Sequence, residues 1–178
     1  MTNKQEVVIR KVKVSDAEQY VKLHNLVWKD AYKNIFPEEV FERREQRAEA
    51  VINGFADWMS TNPEDIYYCA EVDDKLVGFM TATLHTKNEH FKDKNYAEIM
   101  GMYIHPDYQG LGIGSKFKNI FVEWARSQGA TKYLIGVLGD NHNARKVYEK
   151  WGGKLDKHTA PYVLLGKSYD EVFYTIGL

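Results

Sequence analysis

Apolar and polar residues alternate through Val7-Val-Ile-Arg-Lys-Val-Lys-Val14, the pattern of an opening strand. Ser15-Asp-Ala-Glu18 then has the form S-x-x-E, a capping box in which Ser15 and Glu18 would satisfy each other's orphan backbone donors, so a helix is expected to start there. Ala17, Tyr20, Val21, His24, Val27, Trp28, Ala31, Tyr32 and Ile35 follow at helical spacing and give that helix one apolar face. Pro37 suits the first turn of a second helix, whose stripe runs Val40, Phe41, Arg44, Ala48, Val51, Ile52, Phe55, Trp58 and Met59, with a break near Gly54. Ile66–Val72 and Lys75–Leu84 read as two strands joined across Asp73-Asp74, with Gly78 as a bulge.

The stretch 85–94 is polar and turn-like. Tyr96 to His105 reads as a strand, Pro106-Asp107 as a turn, and Gln109-Gly-Leu-Gly-Ile-Gly-Ser115 as a glycine-rich entry to a helix. Phe117, Ile120, Phe121, Trp124 and Ala125 form the stripe of that helix, which ends at Gly129. Tyr133 to Leu138 is an apolar strand, a further helix lies between Asn141 and Gly152, and 162–165 with 171–176 read as a closing hairpin turned at Gly166-Lys-Ser. The order β-α-α-β-β-β-α-β-α-β-β supports an α/β or α+β chain and by itself no more. No repeat, linker or low-complexity segment interrupts it, and 178 residues suit a single domain over 1–178.

Composition narrows the partners. With 44% hydrophobic and 28% charged residues the chain reads as soluble and globular. A net charge of −1, with Lys and Arg dispersed among acids, gives no global attraction to nucleic acid or anionic lipid and leaves only a local basic patch open. No apolar run has the length of a membrane span, and the start, Met-Thr-Asn-Lys-Gln-Glu, lacks the apolar core of a signal peptide, so a cytoplasmic location is expected. The one cysteine, Cys69, lies in a strand and is expected in the core; the six histidines show no His-x-x-x-His spacing, so no metal is expected. Closing strands rich in Tyr, Val and Phe leave room for a homodimer paired edge to edge.

The chemistry concentrates after Tyr96. A helix start offers unpartnered N–H groups and a partial positive charge, and glycines at 110, 112 and 114 let an anion approach the backbone. Two nucleotide fingerprints fail: Ser115 stands where G-x-G-x-x-G needs glycine, and no Lys precedes it as a P-loop requires. Gln109-x-x-Gly112-x-Gly114, directly after a strand ending His-Pro-Asp-Tyr, resembles instead the pyrophosphate loop of the GCN5-related N-acetyltransferase (GNAT) superfamily. Asn141-x-x-Ala144-x-x-x-Tyr148-x-Lys150-x-Gly152 resembles a second motif of the same superfamily, in the right order. The chain departs from it at Gly153, where the family usually has an aromatic residue.

The resemblance implies a GNAT fold, a mixed, largely antiparallel central sheet flanked by helices, and acetyl-CoA as co-substrate with a small-molecule or peptide amine as acceptor. It assigns acetyl-CoA to Met102, Tyr103 and Ile104 through their backbone, to Gln109, Gly110, Leu111, Gly112, Ile113, Gly114 and Ser115, and to Asn141, which is otherwise a helix N-cap. Glu98, eleven residues before Gln109, has the spacing of the general base in histone-modifying members; a solvated or salt-bridged strand glutamate is its other reading, with an ordered water chain as the base. Tyr148 is implied as general acid, or else as a core side chain. Trp28, Tyr32 and Tyr162 are aromatic candidates for the acceptor side. His24 and His105 are the alternative bases, and Lys150 an alternative phosphate contact. Set against transfer stand a module that binds acyl-CoA without turnover, as a sensor or regulator, and a nucleic-acid-binding module.

Overall fold

The computed structural model describes residues 6–178; the polar run Met-Thr-Asn-Lys-Gln lies outside them. Elements follow in the order β1 (Val8–Lys11), α1 (Ala17–Tyr32), α2 (Glu38–Gln46), α3 (Ala48–Asn53), α4 (Phe55–Thr61), β2 (Ile66–Val72) and β3 (Lys75–Thr83). After them come β4 (Tyr96–Ile104), α5 (Ile113–Ser127), β5 (Lys132–Leu138), α6 (His142–Lys150), β6 (Lys154–Leu164) and β7 (Lys167–Gly177). The strands form one seven-stranded sheet in the order β1-β2-β3-β4-β5-β7-β6, mixed and mostly antiparallel, with β4 and β5 running parallel. No helix of the described residues is long and apolar enough to cross a membrane. The described chain divides into two compact units, one made of residues up to Thr81 with Gly101–Ile120, the other of Ala82–Met100 with Phe121–Leu178.

In the first unit most of the α1 stripe packs as its spacing predicts, but Ala31 is exposed and the helix ends at Tyr32, before Ile35. Tyr20, Val21 and Val27 pack with Phe55, Cys69, Leu76 and Phe79 in one buried cluster, the rings of Tyr20 and Phe79 4.3 Å apart. The helix start differs from expectation. A short 3-10 turn, Val14–Asp16, precedes α1, and the carboxylate of Asp16, not Ser15, accepts from the N–H of Lys13 at 2.7 Å. Arg10 donates to both oxygens of Asp16, at 2.7 and 3.0 Å, and this fixes the carboxylate where a mobile serine hydroxyl would compete poorly. Glu18 is turned outward to Lys22. The first strand accordingly stops at Lys11, and Val14 is exposed. The second stripe folds as three short helices rather than one, broken at Arg47 as well as at Gly54. Asp73 and Asp74 both have positive φ, +49° and +61°, the conformation a two-residue hairpin turn needs to match the twist of its strands.

In the second unit β5 pairs β7 along its full length, and β7 continues as a hairpin into β6. This hairpin is much longer than its sequence suggests: it turns at Leu165-Gly166, with φ +49° and +74°, and β6 begins already at Lys154. Asp156 and Pro161 disguise it as a loop. Pro161 is tolerated because β6 ends the strand order, so one side of it has no ladder to serve. Phe91, inside the stretch that reads as a polar turn, is fully buried against Leu134 and Phe173.

Candidate active site

At the end of β4 the first unit builds an anion-ready turn from backbone. The His105 N–H donates to the Val77 carbonyl at 2.8 Å, so the strand stays fastened to β3 up to its last residue. The His105 ring then accepts the Asp107 N–H through Nδ1 at 3.2 Å and opens the short Pro106–Tyr108 turn. Gln109 folds back, its side-chain amide donating to the Ile104 carbonyl at 3.2 Å. Gly110 and Gly112 follow with φ of +79° and +78°, and a Cβ on either would meet no other atom within 4 Å. Backbone conformation, rather than crowding, is what requires glycine there.

Ile113 is buried and anchors the first residue of α5. The first helical bond runs from Lys116 N–H to the Gly112 carbonyl at 3.0 Å. The N–H groups of Ile113, Gly114 and Ser115 come before it and have no acceptor within the helix, while Leu111 and Ser115 are exposed. These residues fit a phosphate-bearing ligand: an open glycine turn leads into unpartnered donors at a positive helix end.

Met102, Tyr103 and Ile104 are half-buried in the same unit. Tyr103 lies among His24, 5.6 Å between rings, and Phe79, and its hydroxyl is 3.4 Å from that of Tyr32. Trp28 and Tyr32 are each less than a tenth exposed, in a stack with Phe36, and the Arg44 guanidinium sits 4.2 Å over Trp28. Burial, and secondarily the charge of Arg44, press the His24 pKa down to about 4.

The second unit holds Glu98, Asn141, Tyr148 and Tyr162. Glu98 pairs with Leu134 at the last rung of the parallel β4–β5 register, while β5 runs on to Leu138 in register with β7. Burial raises the carboxyl pKa of Glu98, against a Thr86 hydroxyl hydrogen bond that lowers it. The Asn141 side chain accepts from the Ala144 N–H at 3.2 Å and caps α6. Tyr148 is half-buried, its ring 5.8 Å from Trp151 and 5.9 Å from Tyr174. Tyr174 is buried and pins α6: its hydroxyl accepts from Arg145 Nε at 3.1 Å and donates to Glu149 at 2.8 Å, and Arg145 also donates to the Gly139 carbonyl.

Phe173 and Tyr174 are successive strand residues and point to opposite sides, so Glu98 and Leu134 share the Phe173 face while Tyr148 packs on the Tyr174 face. Glu171 and Tyr162 lie on the Glu98 face. Gly153 has a reason for its departure from an aromatic: a Cβ there would come within 2.7 Å of the Tyr148 carbonyl oxygen and 3.1 Å of the Tyr174 ring.

Sequence reasoning missed Glu171, Thr86 and the Arg145–Tyr174–Glu149 link. Only for the last was there a local sign, since Arg145 and Glu149 are four apart on one helix face.

The sequence model of the acetyltransferase (GNAT) family matches residues 21–153. An uncharacterized N-acetyltransferase of Methanocaldococcus jannaschii is 28% identical over 95 residues, 53% of this chain and 42% of the relative. The mycothiol acetyltransferase of Rhodococcus jostii is 29% identical over 62% of this chain and 33% of its own length. The chain thus spans less than half of either relative. Among solved structures, the PaiA N-acetyltransferase of Thermoplasma acidophilum in complex with coenzyme A superposes with a TM-score of 0.73 at 20% identity, covering 97% of this chain and 99% of that one.

Proposed function

Because the chain belongs to the acetyltransferase (GNAT) family, matched over residues 21–153, we propose that it moves the acetyl group of acetyl-CoA to a primary amine of a small molecule or peptide, by direct attack in a ternary complex. The observation that carries this reading is the division of labour across the sheet of the second unit. A half-buried carboxylate with a raised pKa, Glu98, occupies one face, and a tyrosine on a pinned helix, Tyr148, packs on the other.

An alkylamine of pKa about 10.4 is neutral in only about one molecule in a thousand at pH 7, so its proton must be taken before it can attack. Glu98 takes it, and burial makes the carboxylate a better acceptor than one in water. The amine's lone pair then bonds the thioester carbonyl carbon and the C–S bond breaks. Tyr148 donates its phenolic proton to the departing sulfur. The turn Gln109–Ser115 supports a role in holding the pyrophosphate, with Gln109 bracing the turn from Ile104 and the N–H groups of Ile113 to Ser115 facing the anion. Backbone groups of Met102, Tyr103 and Ile104 are assigned to the pantetheine amides, and Asn141 to α6 as its cap as well as to the coenzyme. Tyr162 shares the Glu171 face and is proposed to touch the acceptor; Trp28 and Tyr32, being buried, back Tyr103 instead.

The test is thiol release from acetyl-CoA across a panel of polyamines, amino acids, aminoglycosides and short peptides, with coenzyme binding followed by calorimetry. Amine-dependent release is expected, reduced by roughly 10²–10⁴-fold in Glu98→Gln. A Tyr148→Phe variant that binds coenzyme and keeps full activity would remove Tyr148 as the acid. Tight binding without release from any amine would point to an acyl-CoA sensor.

A further inference from the structure

Strand register places a second carboxylate on the face that carries Glu98. Directly paired residues point to the same side of a sheet and successive residues alternate. Glu98 pairs with Leu134, Gly136 lies two residues on along β5, and Leu138 pairs with Glu171. All five therefore share one face. Glu171 does not stand straight over Leu138 but leans back along β5. Its Oε1 lies 2.6 Å from the point a Cβ on Gly136 would occupy, and its Cδ 3.3 Å from it. The absent side chain of Gly136 is the space in which this carboxylate rests.

Resting on the acetyl-transfer reading above, we propose that Glu171 is a positioning residue of the reaction, whose negative charge beside Glu98 makes Glu98 a stronger acceptor for the proton of the amine. The surroundings leave that charge uncompensated: among the described residues no ion pair engages Glu98 or Glu171. The groups facing the pair are few. Thr86 bonds Glu98 from the 85–95 stretch, and the same stretch brings His90, whose ring stacks on His158 of β6. His158 in turn stacks on Phe173, and β6 adds Tyr162 opposite Tyr169 of β7. On β5 the one charged residue of this face is Lys132, at the start of the strand over the Tyr96 ring.

Burial lifts the pKa of both carboxyls, and the Glu98 charge adds to the lift on Glu171. Repulsion between two charges acts equally on each, so the pair releases its protons in two steps, the upper of them moved up. In the reaction the amine N–H bond breaks and the proton goes to Glu98, the nitrogen lone pair bonds the carbonyl carbon, and the C–S electrons leave on sulfur, which Tyr148 protonates. Glu171 exchanges no atom in these steps.

Carboxyl-carbon NMR titration tests the coupling without any substrate. The Glu98 signal is expected to titrate at lower pH in Glu171→Gln than in the parent chain; an unmoved midpoint overturns the proposal. The pH profile of kcat/KM tests the role. Its acid limb is expected to fall by the same interval in Glu171→Gln, with KM little changed and kcat reduced less than in Glu98→Gln. Glu171→Asp, which keeps the charge, should restore the limb, and Gly136→Ala, which displaces the carboxylate without removing it, should move the limb part of the way. Lower rates with an unmoved limb would mean a merely structural Glu171 and overturn the proposal. If the parent chain releases thiol with no amine, the acetyl-transfer reading falls, and the positioning role falls with it even where the NMR midpoint moves.

Discussion

His24 is held neutral inside a ring of aromatics, with Tyr20, Phe79 and Tyr103 around it and a pKa near 4. An unfolded histidine titrates near 6.5, so between about pH 6.5 and 4 the unfolded chain carries a proton that the folded chain refuses. Neutral His24 therefore contributes its full stability above pH 6.5, and that contribution drains as the pH falls to 4, by up to about 3 kcal/mol. Urea midpoints across this range should slope in the parent chain and flatten in His24→Gln; an equal slope in the variant would acquit His24. The same burial makes it a poor holder of protons and a weaker base than Glu98. At Gly153 a methyl group would strike the backbone of Tyr148, so Gly153→Ala is expected to cost about 1–3 kcal/mol and to lower kcat through the displaced tyrosine. Thermal melts and turnover of that variant check both. The nearest clash, with the Tyr148 carbonyl, lies within residues 141–153, but the Tyr174 ring that closes the other side arrives from a strand some twenty residues later.

Elements were legible in the sequence wherever one period dominated. The α1 stripe up to Trp28, the β2–β3 hairpin with its Asp73-Asp74 turn, and α5 with its closing Gly129 fold as their spacing predicts. Gly129 has a φ of +79°, and the Ala130 N–H reaches back to the Ala125 carbonyl, which closes α5 as the glycine promised. Periodicity failed where polar residues served local needs. Arg47 shares its N–H between two carbonyls and breaks a stripe that reads as continuous, and β6 hides behind Asp156 and Pro161. The link from α6 to β7 gives the test at this scale. Tyr174→Phe removes the bonds to Arg145 and Glu149 while keeping the ring, and should cost about 1–2 kcal/mol and lower kcat more than it changes KM. Unchanged kcat would mean that α6 holds Tyr148 in place without Tyr174.

Across the whole molecule, 24 basic and 25 acidic residues leave a net charge of −1, and no salt-dependent binding to DNA or RNA is expected by fluorescence anisotropy at 50–200 mM salt. The glycine turn was legible because its parts are contiguous in sequence. Glu171 was not, because only the pairing of β5 with β7 brings it to the Glu98 face. Distance along the chain, more than residue type, divided what could be read from what could not. One buried atom extends this to the laboratory bench. The single sulfhydryl of the chain, on Cys69, is fully enclosed, hydrogen-bonded to the Arg10 carbonyl, and pushed up to a pKa of about 11 by burial. A colorimetric disulfide reagent should leave the native protein unlabelled, so prompt colour in a transfer assay reports the freed coenzyme alone. Slow labelling over hours becomes a clock for how often this core breathes open.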